Sequence, residues 1–143
     1  MKAAATKNRL VLDASVALAW CFPDEGTEYA EKVLDRLASG SAALVPAIWP
    51  FEVANALLVG ERRKRITVAQ VTSLLQRIAD LPITVEPIRV GGAFGDILAV
   101  ARREQLSEYD AAYLELALRE AQPLATVDDR LRRACGNAGA ALV

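Results

Sequence analysis

The sequence lacks histidine entirely and contains only two cysteines, Cys21 and Cys135, among its 143 residues. Without an imidazole, the chain cannot build a Ser-His-Asp triad, a Cys-His pair or a zinc site with histidine ligands. The two cysteines are far apart and form no C-x-x-C motif. This spacing predicts buried thiols in a reducing compartment and argues against a disulfide scaffold.

Excess charge of one sign and long apolar runs are also missing. The 17 Lys and Arg residues nearly balance the 18 Asp and Glu residues, so the formal net charge is −1. Binding of nucleic acid through overall positive charge is therefore excluded, and any basic surface must be local. The longest uncharged stretch, residues 37–51, contains two prolines and is shorter than the roughly 20 apolar residues that a membrane-spanning helix needs. We expect a cytoplasmic protein that does not contact a membrane.

The residues that are present predict one folded domain. Hydrophobic residues make up 53% of the chain, which is far too many for a disordered protein. The length matches a single compact domain of roughly 100–150 residues. We assign residues 10–143 to this domain and treat residues 1–9 as an N-terminal lead without a role.

Short apolar runs alternate with segments of helical periodicity. Strands are predicted at 10–12, 43–45, 83–85 and 124–126, with a possible fifth strand at 140–143. Helices are predicted at 14–20, 27–40, 51–64, 67–81, 94–104, 107–120 and 129–134. This alternation is typical of an α/β fold with a five-stranded, mainly parallel sheet that is flanked by helices on both faces.

Acidic residues fall just after several of the predicted strands. Asp13 follows the first strand, Glu52 opens the helix after the second, and Asp128 follows the fourth. The carboxyl ends of parallel strands share one edge, where α/β proteins bind their ligands. Asp110, in the first turn of its helix, joins this edge if that helix begins there.

Four carboxylates at one edge need a positively charged partner, because like charges at short distance raise one another's pKa. The sequence supplies no histidine and no obvious buried lysine for this purpose. Oxygen ligands of this kind favour Mg²⁺, or Mn²⁺ as a substitute. Such an ion can activate a water molecule and stabilise charge on a phosphoryl group.

Each acidic residue also has a purely structural explanation. Asp13 can cap a helix, Asp110 can close a capping box with Ser107, and Glu52 and Asp128 can favour a helix dipole. The doublet of Asp128 and Asp129 leaves open which of the two belongs to the site, although the spacing from Thr126 favours Asp128.

Four segments, taken in order, resemble the motifs of one known family. They are LVLDASVALAW at 10–20, FEVANAL at 51–57, YDAAYLELA at 109–117 and LATVDDRL at 124–131. Together they are similar to the acidic motifs of PIN-domain ribonucleases, specifically the VapC-type toxins of toxin–antitoxin systems. The resemblance extends from about residue 10 to residue 143.

The resemblance implies a five-stranded PIN-like fold and an acidic pocket that holds Mg²⁺ or Mn²⁺. It implies endonucleolytic hydrolysis of RNA by a metal-activated water, a homodimer, and a cognate VapB-type antitoxin. By motif match, the catalytic and metal-site carboxylates are Asp13, Glu52, Asp110 and Asp128, with Asp13 and Asp110 as the first choices for direct ligation.

Three further polar residues are expected near these carboxylates. By the same match, Ser15 and Thr126 place hydroxyl groups beside the metal water or a phosphate oxygen. Asn55 lies one turn after Glu52 on the same helix face. The residue inventory predicts that Asp13 or Asp128 accepts the proton of the attacking water, and that cleavage leaves a 5′ phosphate.

Basic and aromatic residues give weaker signals. The densest basic run is 62–65, followed by Arg102 with Arg103 and by a group at 130, 132 and 133; any of them can bind phosphates that flank a cleavage site. The run at 62–65 also ends a helix, where cations favour the dipole. Packing is the favoured role of the aromatic side chains, with Tyr109 and Tyr113 the better candidates for base stacking.

Two other functions are compatible with the sequence. One is a non-catalytic PIN-like module that binds a protein partner and keeps its acidic residues as helix caps. The other is a phosphatase or phosphoacceptor domain. The second is weaker, because Asp13 is followed by Ala14 and Ser15 and the D-x-D pattern of such phosphatases is missing.

Overall fold

The computed structural model describes residues 8–143, which form a parallel four-stranded sheet in the order β3-β2-β1-β4. The strands are β1 (Arg9–Leu12), β2 (Ala42–Pro46), β3 (Ile83–Glu86) and β4 (Leu124–Ala125). Every strand pair is parallel, so the carboxyl ends of all four strands lie at one edge.

Helices connect the strands, as the alternating pattern predicted. They are α1 (Ala14–Cys21), α2 (Glu28–Ala38), α3 (Trp49–Arg62), α4 (Val68–Ala79), α5 (Leu98–Glu104), α6 (Glu108–Glu120) and α7 (Asp129–Ala138). A 3₁₀ turn, Pro23–Glu25, follows α1. A helical turn, Val90–Gly92, and a π-helical segment, Ala93–Ile97, lead into α5, so this helical region begins four residues before its predicted start at 94.

Local capping explains where several helices begin. Thr27 accepts a hydrogen bond from the Ala30 amide at 3.0 Å and starts α2. Thr67 and Gln70 form the predicted capping box of α4, since each side chain accepts from the other residue's amide. These contacts satisfy backbone donors that would otherwise be free in the first helical turn.

The core lies on both sides of the sheet. Leu10, Val11 and Leu12 of β1 are completely buried, and successive residues of a strand point to opposite faces, so helices must cover both faces. The middle of α6, residues 111–117, is buried in its entirety, and α6 contacts β1, β2 and β4. This helix is therefore a central element of the domain.

The prediction of a fifth strand at 140–143 is wrong. Only one bridge, between Leu142 and Leu124, extends the sheet beyond β4 within residues 8–143. The Leu124 amide donates to the carbonyl of Ala141 at 2.9 Å, and the Val143 amide donates to the carbonyl of Leu124 at 3.0 Å. Because β4 itself has only two residues, its free edge offers too little backbone for a regular strand to pair with.

The predicted N-terminal lead at 1–9 falls largely on residues 1–7, which lie outside the described residues. Arg9 belongs to β1, where it pairs with Ala42. Both cysteines are buried and free, as predicted. No helix within residues 8–143 is long and apolar enough to cross a bilayer.

Candidate active site at the carboxyl edge of the sheet

Asp13 lies directly after β1 and is only 7% exposed. It occupies the N-cap position of α1, yet its carboxylate makes no capping hydrogen bond to that helix. Instead, Oδ2 accepts hydrogen bonds from the Ser15 hydroxyl at 2.6 Å and from the Thr126 hydroxyl at 2.7 Å. Simple capping therefore does not explain the buried charge.

Thr126 connects the ends of β1 and β4. Its side chain is completely buried, and its hydroxyl oxygen accepts from the Asp128 amide at 3.1 Å while donating to Asp13. The Ser15 hydroxyl in turn accepts from the Val127 amide at 3.2 Å. The guanidinium of Arg132 donates to the Thr126 carbonyl at 2.9 Å, which anchors this segment to α7.

Glu52 enters the site from the first turn of α3. Its Oε1 atom accepts a short hydrogen bond of 2.5 Å from the hydroxyl of Tyr113, which is completely buried in α6. Tyr113 lies three residues after Asp110, so both side chains are on the same face of α6. One helix therefore supplies both a carboxylate and a hydrogen-bond donor to the site.

Asp110 and Asp128 occupy the first turn and the N-cap of their helices. The Asp110 amide donates to the Ser107 hydroxyl at 3.1 Å, so Ser107 caps α6 as predicted. The Asp128 carboxylate accepts from the Leu131 amide at 2.9 Å and caps α7. Capping is thus one real role of Asp128. Asp129, the first residue of α7, instead borders an outer cleft of about 400 Å³ with Arg132 and Arg133.

The electrostatics show that the four carboxylates act on one another. Burial is the main cause that raises the pKa of Asp13, Glu52 and Asp110 above their ordinary values. The charge of Asp128 raises the pKa of Asp13 further, and those of Asp13 and Asp110 raise the pKa of Glu52.

Asp110 experiences the same repulsion, since both Asp13 and Asp128 raise its pKa. Hydrogen bonding to Ser107 and the charge of Arg130 act in the opposite direction. Within residues 8–143, none of the four carboxylates forms a salt bridge with lysine or arginine. The structure thus brings all four predicted acids into one region with no cation from the described part of the chain paired to them.

The family model for the PIN domain matches residues 10–137. The chain belongs to the PIN-domain family. Two curated relatives agree with this assignment. Ribonuclease VapC3 from Pyrobaculum aerophilum is 28% identical over 123 residues, covering 86% of this chain and 92% of that protein. Ribonuclease VapC3 from Mycobacterium tuberculosis is 36% identical over 107 residues, covering 73% of each chain.

Two crystal structures share the fold. PAE2754 from Pyrobaculum aerophilum superposes with a TM-score of 0.68 at 21% identity, over 88% of this chain and 78% of that chain. VapBC2 from Rickettsia felis, bound to a DNA fragment from their promoter, gives a TM-score of 0.62 at 13% identity, over 88% and 92% of the two chains. The resemblance to VapC-type PIN domains that the motifs indicated is confirmed.

The donor set of this PIN domain fits a hard divalent cation in its chemistry, because all four side chains offer carboxylate oxygens. As they stand, no three acidic or cysteine side chains within residues 8–143 are grouped closely enough to hold a metal ion. Mg²⁺ does not require such a group: it usually keeps several waters and binds through one or two carboxylates together with substrate phosphates. The arrangement suits a cation that binds with substrate.

The place of Asn55 beside the carboxylates stays a prediction. Asn55 is exposed on α3 and makes no hydrogen bond to any of the four carboxylates within the described part of the chain.

Tyr113 is the residue whose contact the sequence reasoning missed. Packing or base stacking was expected, and packing is confirmed by its complete burial. Its hydrogen bond to Glu52 joins residues 61 positions apart. Most buried tyrosines have a partner for their hydroxyl, so the D-x-x-Y spacing of Asp110 and Tyr113 was an available signal.

The tryptophans and part of the basic run at 62–65 have structural roles. Trp49 is buried, and the Trp20 indole donates to the Ala30 carbonyl at 2.8 Å, so both tryptophans serve packing. In the basic run at 62–65, Arg65 pairs with Asp24 at 3.0 Å and lies over the ring of Phe22. Part of that run is therefore structural.

Proposed function

We propose that this VapC-type PIN domain is a Mg²⁺- or Mn²⁺-dependent endoribonuclease that acts as the toxin of a toxin–antitoxin pair. The observation that carries the proposal is the placement of Asp13, Glu52, Asp110 and Asp128 at one edge of a PIN fold, where no lysine or arginine of residues 8–143 forms a salt bridge with them. Burial and repulsion both oppose the ionised state of Asp13, Glu52 and Asp110, and a bound divalent cation would reverse that balance. The name Ribonuclease VapC3 of both curated relatives supports RNA as the substrate.

The chain's own residues would divide the work in the following way. Asp13 and Asp110 would ligate the cation directly, with Glu52 and Asp128 completing the site. When bound, the cation would polarise a water molecule and offset charge on the phosphate. Ser15 and Thr126 would keep Asp13 ionised and fixed in orientation, since both hydroxyls donate to its Oδ2 atom.

A carboxylate is also the natural proton acceptor in a protein without histidine. Asp13 and Asp128 are the candidates, and Asp128 is the more exposed of the two, so a water molecule can reach it. Attack of water on the scissile phosphate, with the 3′ oxygen as the leaving group, would leave a 5′ phosphate on the product.

Arginines beside the acidic site would hold the RNA backbone. Arg130 and Arg133 are exposed on α7 and border an open cleft of about 440 Å³ together with Asn137. Arg130 is close enough to Asp110 to lower its pKa. Neither arginine has a salt-bridge partner within residues 8–143, so both are available for phosphates next to the scissile one.

A VapB-type antitoxin and a homodimer belong to the same proposal. The structural likeness to VapBC2 of Rickettsia felis supports an antitoxin partner. A small open reading frame beside the gene, encoding a protein with a DNA-binding end, would identify the partner directly.

A cleavage assay on a single-stranded RNA tests the activity. Wild type should cleave with Mg²⁺ or Mn²⁺, lose activity in EDTA, and produce 5′-phosphate ends. Asp110→Ala should lower the cleavage rate by at least about 100-fold. The matched control Asp129→Ala should cleave at the wild-type rate. Full activity in EDTA, or a 2′,3′-cyclic phosphate product, would contradict the proposal.

A non-catalytic PIN-like binding module is the second candidate, favoured by one observation: no three ligands are grouped in advance within residues 8–143. Calorimetric titration of Mn²⁺ into wild type and Asp13→Asn separates the two functions. A catalytic site should bind Mn²⁺ and lose affinity in the variant, whereas a module whose acids are only caps should bind no Mn²⁺ in either protein.

A further inference from the structure

The hydroxyl of Tyr113 lies beneath the acidic site and contacts one of its four carboxylates. The side chain is completely buried, and its hydroxyl donates to Oε1 of Glu52 at 2.5 Å. The negative charge of Asp13 also acts on this phenol. No other hydrogen bond to the Glu52 carboxylate is present within residues 8–143, so its Oε2 atom has no hydrogen-bond partner in that part of the chain.

We infer that Tyr113 is a positioning residue, which fixes one oxygen of Glu52 so that the other is presented for divalent-cation binding. The inference rests on the proposed function, and Tyr113 is not among the residues to which the resemblance assigns a role at the site.

The physical reason lies in the length of the glutamate side chain. Glu52 is only partly buried, and a free glutamate loses considerable rotamer entropy when it is held for ligation. A hydrogen bond to an ionised acceptor is short and strong, and this one restricts the carboxylate before any cation arrives. Outer hydrogen bonds of this kind orient ligands in metal sites generally.

The helix that carries Tyr113 explains why this residue can perform the task. Asp110 and Tyr113 share one face of α6, and the buried middle of that helix packs against the sheet. The bond to Glu52 therefore ties the first turn of α3 to the same rigid helix that carries Asp110. The buried helix α6 thus fixes the position of Glu52 relative to Asp110.

Tyr29 provides a matched control within the same protein. Its hydroxyl is also buried, but it has no hydrogen-bond partner in the described part of the chain. Its ring packs against the guanidinium of Arg132, at 5.3 Å from the ring centroid. Tyr29→Phe and Tyr113→Phe each remove one buried hydroxyl, and only the second removes a bond to a site carboxylate.

The experiment is a calorimetric titration of Mn²⁺ into five proteins: wild type, Y29F, Y113F, E52Q and the double variant Y113F/E52Q. Y113F should bind Mn²⁺ about 10–100-fold more weakly than wild type, and Y29F should bind like wild type. In the E52Q background, Y113F should add no further loss, because the tyrosine acts through Glu52. Circular dichroism checks that each variant is folded.

Three outcomes would overturn the inference. Y113F could bind Mn²⁺ as wild type does, or Y29F could lose as much affinity as Y113F, or Y113F could weaken binding equally in the wild-type and E52Q backgrounds. If wild type cleaves RNA and binds Mn²⁺ while Y113F behaves as wild type, the inference fails and the proposed function stands. If wild type neither binds Mn²⁺ nor cleaves RNA, both fail.

A second measurement does not depend on the folding of Y113F. Incorporated fluorotyrosine gives three fluorine resonances, one for each tyrosine, and the variants Y29F and Y109F assign the Tyr113 signal by elimination. Addition of Mg²⁺ should shift this signal in wild type and shift it less in E52Q. No shift in wild type, or an equal shift in E52Q, would overturn the inference.

Discussion

Asp13 shows how a single buried carboxylate is maintained at the end of a strand. Burial raises its pKa, and the charge of Asp128 adds to that effect, while hydrogen bonds from Ser15 and Thr126 oppose both. The two hydroxyls come from opposite ends of the domain sequence and converge on one oxygen atom. The site therefore depends on neutral donors to stabilise its most buried charge.

Thr126→Val tests this dependence. The substitution keeps the shape of the side chain and removes the donor to Asp13, so we expect a loss of about 1–3 kcal/mol in the free energy of unfolding. Urea denaturation followed by circular dichroism measures the change. Thr72→Val is the matched control, because the Thr72 hydroxyl donates to the Val68 carbonyl on the exposed side of α4. It should change stability by no more than about 0.5 kcal/mol, and an equal loss in both variants would contradict the role of Thr126.

Asp110→Asn should separate stability from activity. Removing one of four mutually repelling charges should stabilise the metal-free protein by roughly 0.5–2 kcal/mol, while RNA cleavage is lost. Thermal melting measures the stability, and the RNA-cleavage assay measures the activity. Bound Mg²⁺ should raise the melting temperature of wild type more than that of the variant.

Asp129→Asn is the control for this substitution. Asp129 is exposed at the start of α7 and borders an outer cleft, so its loss should not stabilise the protein. A destabilised Asp110→Asn variant in the absence of metal would show that the repulsion among the four carboxylates is not significant.

At the scale of elements, α7 combines a structural and a proposed binding role. Its N-terminus is capped by Asp128, Arg132 anchors it to Thr126, and its exposed face carries Arg130 and Arg133. The denser basic run at the end of α3 is already engaged through Arg65. Proximity to Asp110 therefore favours α7 over α3 as the surface for RNA.

The double variant Arg130→Ala/Arg133→Ala tests this surface. Fluorescence anisotropy with a labelled RNA, in EDTA to prevent cleavage, should show weaker binding, and the slope of log K against log salt should decrease by about 1 for each phosphate that is no longer bound. The control is Arg62→Ala/Arg63→Ala, which removes the same charge from α3. If the two double variants weaken RNA binding equally, the preference for the α7 surface is contradicted.

The packing of α3 depends on a glycine. A Cβ atom at Gly60 would lie 3.0 Å from the Phe22 ring and 3.4 Å from Ile66, whereas nothing lies within 4 Å of a Cβ at Gly136 in α7. Gly60→Ala should therefore destabilise the protein by about 1–3 kcal/mol. Gly136→Ala should stabilise it by about 0.4–1 kcal/mol. Urea denaturation of both variants measures the contrast, and a stabilised Gly60→Ala would show that Phe22 can move aside at no cost.

At the scale of the whole molecule, the absence of histidine simplifies the titration behaviour. The pKa of both cysteine thiols is raised to about 11 by burial, so thiols do not ionise near neutral pH. Within residues 8–143, the carboxyl groups whose pKa is raised are those of Asp13, Glu52 and Asp110, all in the acidic site. The pH dependence of stability therefore reports on the site.

We predict that the metal-free protein becomes less stable as pH rises from the ordinary carboxylate range through the raised folded-state pKa values of Asp13, Glu52 and Asp110. The folded-state pKa of Asp13, Glu52 and Asp110 is raised, so the folded protein holds protons more tightly than the unfolded chain. This contribution is complete below the unfolded values and is lost as pH rises through the folded values. Saturating Mg²⁺ should remove or reverse this decrease of stability with pH, because it binds the ionised carboxylates. Urea denaturation at several pH values checks both, and a metal-free stability that rises with pH would contradict the prediction.

Local sequence patterns were sufficient for most elements of the fold. The capping box at Thr67 and the N-caps at Thr27 and Ser107 act over three residues, so the helix starts could be predicted without tertiary information. The π-helical entry to α5 and the short β4 could not, because propensity alone does not show how much backbone a neighbouring strand offers.

The sequence by itself determined that the chemistry must rest on carboxylates, because the chain has no histidine, and it determined that Asp13 and Asp128 follow strands. Only the tertiary structure decided that Thr126 donates to Asp13 across 113 residues and that Tyr113 donates to Glu52 across 61. Helical and strand periodicity act over a few neighbouring residues. Contacts between distant residues depend on how whole elements pack, and so the hydrogen bonds that hold the carboxylates became visible only in the folded domain.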